Sequence, residues 1–193
     1  MNSIVKSSNG ITVVPVESRL LSKRMLFIEG EITAASACEI VRSLMVLADE
    51  DPDAPIKVYI NSPGGEVNAG LMIYDTIKGM KTPVNLYCVG MAASMAAIIL
   101  AGGRKGNRYI LPHSKVMIHE PLIAGGVGGS ATSIKHTADS IMETKKLSVE
   151  LLAADTGKSH DEIDAAISYD NYMNAQEAID FGMCDAFFTD ILG

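Results

Sequence analysis

Short apolar runs alternate with longer apolar stripes along this chain. Residues 25–28, Met-Leu-Phe-Ile, read as a buried strand. Thr33 then caps a helix whose apolar stripe is Ile40, Val41, Leu44 and Leu47. Residues 56–60 form the next strand, ended by Asn61-Ser-Pro-Gly-Gly65, and a helix follows through Leu71, Ile73, Tyr74 and Ile77. The third unit is a strand over 84–89, a turn at Gly90 and a small-residue helix over 93–100. Residues 108–111 and 116–119 read as short strands.

A helical pattern then runs over 131–156, through Ile134, Ala138, Ile141, Met142, Val149 and Leu152, and closes at Gly157. At the helical rise it is roughly 39 Å long. A chain of this size has a radius of gyration of about 16 Å, so the spacing predicts a helix that either projects from the body or lies along it. Ser159-His-Asp-Glu162 and Asn174-Ala-Gln-Glu177 are capping boxes for two short helices, the second ending at Gly182. Residues 184–188 read as the last strand. Repeated strand-helix-strand units predict an α/β fold: a largely parallel sheet with right-handed crossovers and helices on its faces.

Composition narrows the function. The 193 residues carry 16 Lys plus Arg against 23 Asp plus Glu, a formal charge of −7. That balance argues against a nucleic-acid binder or a polybasic membrane-surface protein. Aromatic residues make up 5% and tryptophan is absent, which disfavours a base-stacking platform. Cys38, Cys88 and Cys184 are widely spaced and suggest neither a disulfide framework nor a zinc site. The N-terminus shows no apolar signal-peptide core, so a cytoplasmic location is expected. Residues 82–103 are uncharged over 22 positions, but ten of these are Gly, Ala, Ser or Thr. They read as a buried strand and helix rather than a membrane span.

Three places carry candidate chemistry. In Gly90-Met-Ala-Ala-Ser94-Met-Ala, a serine falls in the first turn of a helix that follows a buried strand. Unbonded N–H groups there suit an oxyanion. The spacing is G-x-x-x-S, not the hydrolase G-x-S-x-G. Asn61-Ser-Pro-Gly64-Gly65 lies at a strand's carboxyl end, where ligands of such sheets bind; a plain turn is the competing reading. Among His113, His119, His136 and His160, only His119 ends an apolar strand, while His136 and His160 fall on polar helical stretches. A Ser-His pair needs a third group to hold the imidazole tautomer. Glu120 points to the opposite face of the strand. Asp170, Asp180 and Asp185 all remain open by pattern, with Asp170 favoured by its place in an irregular link.

Asn61-Ser-Pro-Gly-Gly65, Gly90-Met-Ala-Ala-Ser94-Met-Ala, Met117-Ile-His-Glu-Pro121 and Asn174-Ala-Gln-Glu-Ala178 resemble, in order and spacing, the ClpP family of Clp protease proteolytic subunits. Ser18-Arg-Leu-Leu21, Ile73-Tyr-Asp-Thr76 and Leu111-Pro112 look similar too, so the resemblance spans essentially the whole chain. It implies a crotonase-like α/β fold as one domain over 1–193, with an axial segment at 1–17 and a handle at 122–156. It implies a serine endopeptidase with nucleophile Ser94, base His119 and orienting carboxylate Asp170. The oxyanion amides fall on Gly65 and Met95, and no metal or organic cofactor is required. Heptameric rings, stacked as a tetradecamer, are implied, enclosing a chamber for unfolded protein substrates. An AAA+ unfoldase such as ClpX, ClpC or ClpA would feed that chamber.

The chain also departs from the family pattern. The handle strand, usually close to Gly-Gly-Phe-Gln-Gly-Gln, is here Ile123-Ala-Gly-Gly-Val-Gly-Gly-Ser130, longer and richer in glycine. Tyr169 stands where Arg is usual, and Glu120 where Gln is usual. Lys57 and Gly79 occupy docking positions that are usually aromatic, although Tyr59 and Tyr109 remain. These departures imply an alternative role: a weakly active or regulatory ring subunit that needs a second ClpP-type subunit. An acyl-CoA enzyme on the same fold is disfavoured by the Ser94, His119 and Asp170 set.

Overall fold

Burial alternates along the central strands as the hydrophobic pattern requires, and the helices cover one face of the sheet. The computed structural model describes residues 1–7, 10–123 and 125–189. A hairpin of β1 (Asn2–Ser7) and β2 (Gly10–Pro15) leads into α1 (Val16–Leu21). The sheet then begins with β3 (Met25–Ile32), and α2 (Ala34–Glu50) follows. Thr33 caps α2 as expected, accepting from the Ser36 N–H in a reciprocal capping box. Two more strand-helix units come next: β4 (Ile56–Gly65) with α3 (Val67–Gly79), and β5 (Val84–Ala93) with α4 (Met95–Ala101).

β6 (Arg108–Ile110) and β7 (Lys115–Ile118) come before the long α5 (Ala131–Thr156). After it stand α6 (His160–Ile167), β8 (Asn171–Asn174), α7 (Ala175–Phe181) and β9 (Ala186–Phe187). The main sheet runs β3-β4-β5-β6-β9, all parallel, and β7 pairs parallel with the far end of β5. β8 alone departs from this, running antiparallel to β7. The mostly parallel α/β architecture is the expected one.

One face of the sheet packs Leu26, Ile28, Val58, Ile60, Leu86 and Cys88 into the core with α2, α3 and α4. The opposite face carries a ladder of rings. Phe27, Tyr59, Tyr87 and Tyr109 are register neighbours on four adjacent strands and stack at 5.1 Å between centroids. Phe188 meets Tyr87 edge-on at 4.9 Å. Offset stacking of this kind adds about 0.5–1.5 kcal/mol per pair beyond burial.

Several boundaries differ from the sequence reading. Asn61-Ser-Pro-Gly-Gly65 is not a turn that ends a strand: β4 continues through Gly65 and pairs Glu31 with Gly64 and Ile32 with Gly65. Nor does Gly90 end β5, which runs on to Ala93 past a register shift. Residues 82–103 are buried strand and helix as read, and among the described residues no helix is long and apolar enough to cross a membrane. α5 matches its predicted span, with Ser130 accepting from the Ser133 N–H and Gly157 in the left-handed conformation. Its residues up to Leu147 are mostly exposed, and its buried positions are Ser148, Val149, Leu152, Asp155 and Thr156.

Candidate active site

The strand ends decide what meets what. Ala93, the last residue of β5, pairs with Met117 of β7, and the Ser94 N–H donates to the Met117 carbonyl at 2.8 Å. Ser94 therefore precedes α4 as its N-cap rather than lying in the first turn. Its φ of 53° and ψ of −123° are strained for a residue with a side chain. A strained strand-to-helix junction lifts a side chain clear of both elements, which is how nucleophile elbows expose a hydroxyl. Met95 opens α4, where first-turn N–H groups lack an intrahelical acceptor.

The register of β7 with β8 does the rest. Ile118 pairs with Asn171, so the next antiparallel position sets His119 opposite Asp170. The contacts follow. His119 Nε2 lies 2.9 Å from Ser94 Oγ, and its Nδ1 lies 3.2 Å from Asp170 Oδ1. The imidazole is 15% exposed and Asp170 65% exposed. Ser94 and His119 line a cavity of about 500 Å³ together with Gly64, Gly65, Met95 and Ile98.

The Gly64-Gly65 end of β4 also lines the cavity, close beside Ser94. A Cβ on Gly64 would stand 2.7 Å from the Ala93 carbonyl oxygen and 2.8 Å from Ser94 Cβ; on Gly65 it would stand 2.1 Å from the Ile32 carbonyl oxygen. Only glycine permits that approach. Ser62, fully buried, anchors this strand end by donating to the Gly30 carbonyl at 2.5 Å and accepting from the Gly64 N–H at 3.1 Å.

The other candidates are engaged elsewhere. Asp185 takes Arg108 in a buried ion pair and accepts from the Gly106 and Arg108 N–H groups. Asp180 accepts from Gln176 Nε2 at 2.8 Å. Glu120 meets Lys145 Nζ at 3.1 Å. His113, His136 and His160 are exposed.

A family model described as Clp protease matches residues 8–190. The chain belongs to the Clp protease family. Membership implies a serine peptidase that forms rings and works with an unfoldase, and the mixed α/β architecture agrees with the ClpP fold.

Sequence reasoning passed over several features of this Clp-type chain, one of them at the site. β8 was read as an irregular link, yet its pairing with β7 sets Asp170 against His119. The β1–β2 hairpin carried no predicted structure. Phe27, Tyr87 and Phe188 complete the aromatic ladder, whose period-two placement beside Tyr59 and Tyr109 was the available signal. Lys57 shares the register of that face, and Gly79 opens onto empty space. Residues 121–123 and 125–130 form no strand.

Proposed function

We propose that the chain is a serine endopeptidase whose reacting groups are Ser94, His119 and Asp170. The observation that carries this reading is the unbroken chain of contacts Asp170–His119–Ser94, at 3.2 Å and 2.9 Å, on the wall of a cavity. In the first half-reaction Ser94 Oγ attacks a peptide carbonyl carbon while His119 Nε2 takes the hydroxyl proton. The carbonyl oxygen gathers negative charge between the Gly65 and Met95 N–H groups; losing one such donor typically costs about 3 kcal/mol. The imidazolium, steadied by Asp170, returns the proton to the leaving amine as the C–N bond breaks. A water then attacks the Ser94 ester, giving its proton to His119, and the released carboxyl product regenerates the hydroxyl. Acid opposes this cycle, since protonated His119 cannot accept the Ser94 proton.

Family membership extends the reading to a setting. Residues 1–17 line an axial pore and residues 122–156 form a handle between stacked heptameric rings, positions 8, 9 and 124 lying outside the described residues, and unfolded proteins are cleaved inside the chamber. The half-buried rings of Phe27, Tyr87 and Tyr109, stacked about the buried Tyr59, offer the AAA+ unfoldase an apolar anchor, as docking segments require. The location is the cytoplasm.

A second reading has its own support. Residues 121–123 and 125–130 form no strand, and Tyr169 is 61% exposed where the family carries a ring-bridging Arg. On that reading the chain is a regulatory ring subunit, active only beside a second ClpP-type subunit. Peptide hydrolysis by the assembled wild-type chain, alone and with a second subunit, separates the two. In whichever assembly is active, Ser94→Ala and His119→Ala each lower kcat by at least about 10³-fold. Undiminished hydrolysis by either variant overturns the hydrolytic reading.

A further inference from the structure

Lys145 of α5 grips two carboxylates at once. Its Nζ lies 3.1 Å from Glu120 Oε2 and 3.0 Å from Asp164 Oδ1. The lysine side chain is 22% exposed, while its partners are 50% and 57% exposed. Asp164 first and Glu120 second hold the ammonium above the ordinary lysine range.

The places of the partners matter more than the pairs. Glu120 is the residue after His119, and its N–H donates to the Ile167 carbonyl at 2.7 Å. Ile167 ends α6, Asp164 lies one turn earlier on the same helix, and the chain reaches Asp170 three residues later. Lys145 thus stands where three segments meet: the strand end that carries His119, the helix that leads to Asp170, and α5. It also stands near the point where α5 passes from its exposed stretch to its buried one.

An exposed ion pair on its own contributes little stability, about 0–1 kcal/mol. Geometry is the larger effect here. The His119–Asp170 contact is 3.2 Å long, and Asp170 is mostly exposed, so little packing fixes it. A reacting constellation has to be held to about 0.5 Å by what surrounds it.

We propose that Lys145 is a positioning residue for the Ser94 site: by bridging Glu120 and Asp164 it fixes the His119 strand end against α6, and so keeps the imidazole against Asp170. This rests on the hydrolytic reading.

The test is steady-state peptide hydrolysis by the full chain in its active assembly, with Lys145→Met, Lys145→Arg and Glu120→Gln. Methionine keeps most of the aliphatic stem and removes the charge. We expect Lys145→Met to lower kcat about tenfold with KM within about twofold, as misplacement of reacting groups does. Lys145→Arg restores at least half of wild-type kcat, and Glu120→Gln, which keeps the Asp164 pair, falls between. An unchanged kcat in Lys145→Met overturns the inference while leaving the hydrolytic reading intact. A loss that Lys145→Arg fails to restore, or one that tracks dissociation of the particle, marks a purely structural role and overturns it as well. Wild-type chain that hydrolyses no peptide in any assembly removes the hydrolytic reading and this inference with it.

Discussion

Ser94 holds a backbone conformation that costs on the order of 1–3 kcal/mol. It persists because the Ser94 N–H is bonded to Met117 and the Gly64 backbone packs against its Cβ. Stored strain of this kind keeps the hydroxyl at the cavity wall instead of letting it cap α4; no side-chain cap bond forms there. The thiols show the same control by surroundings. Burial pushes Cys88 up to about 11 and Cys184 up to about 12, so both stay protonated at neutral pH, whereas Cys38 is exposed. Thiolates, not thiols, react with alkylating agents. Iodoacetamide at neutral pH is therefore expected to modify Cys38 alone in the folded chain and all three cysteines in denaturant, counted by intact mass. Rapid modification of Cys88 or Cys184 in the folded chain would contradict the burial described. At this scale the sequence marked His119 at the end of an apolar strand, but it read Ser94 into a first helical turn, whereas β5 runs on to Ala93 and Ser94 precedes α4. Pattern favoured Asp170 but left Asp180 and Asp185 open, because the contact with His119 depends on a strand pairing that local pattern does not encode.

Elements were legible in proportion to their length and periodicity. α2, α3 and α5 carry apolar stripes and clear ends, and they fall where the pattern put them. β8 has four residues, of which only Met173 is buried, so no alternation announces it. β4 and β5 outrun their apolar cores because glycine and serine continue the pairing where a strand signal fades. The short β6 and β9 are fastened by Arg108 and Asp185 rather than by length. Burial alone would raise the Asp185 carboxyl, but hydrogen bonds and charge from Arg108, with the Gly106 and Arg108 N–H groups, hold it below the usual carboxylate range. A carboxylate depressed on folding adds stability above its unfolded value, about 3.9, and that stability disappears as pH falls through the lower folded value. Asp185→Asn leaves the buried Arg108 without its counter-charge. It is expected to lose about 3 kcal/mol at neutral pH and to show a shallower decline in acid, measured by urea unfolding at a series of pH values. Equal stability of variant and wild type at neutral pH would show that the pair does not fasten these strands.

Across the whole molecule, the described residues leave most of α5 up to Leu147 exposed. A ring-forming peptidase has a use for such a surface, and it adjoins the site: Val67, Pro121 and Leu122 line both the Ser94 cavity and the groove against the exposed half of α5. Fold class was readable because strand-helix repetition leaves few topologies. No local pattern states how many copies close a ring, so the sequence itself carries no reading of assembly; that expectation comes from resemblance alone. The claim on which all of this stands is that one hydroxyl is the nucleophile. The most direct measurement is treatment of the assembled chain with a fluorophosphonate, followed by mass spectrometry of its peptides. One adduct per chain on Ser94, lost when His119 is replaced by alanine, is the predicted result. An adduct on another residue, or none on Ser94 in any active assembly, would contradict it.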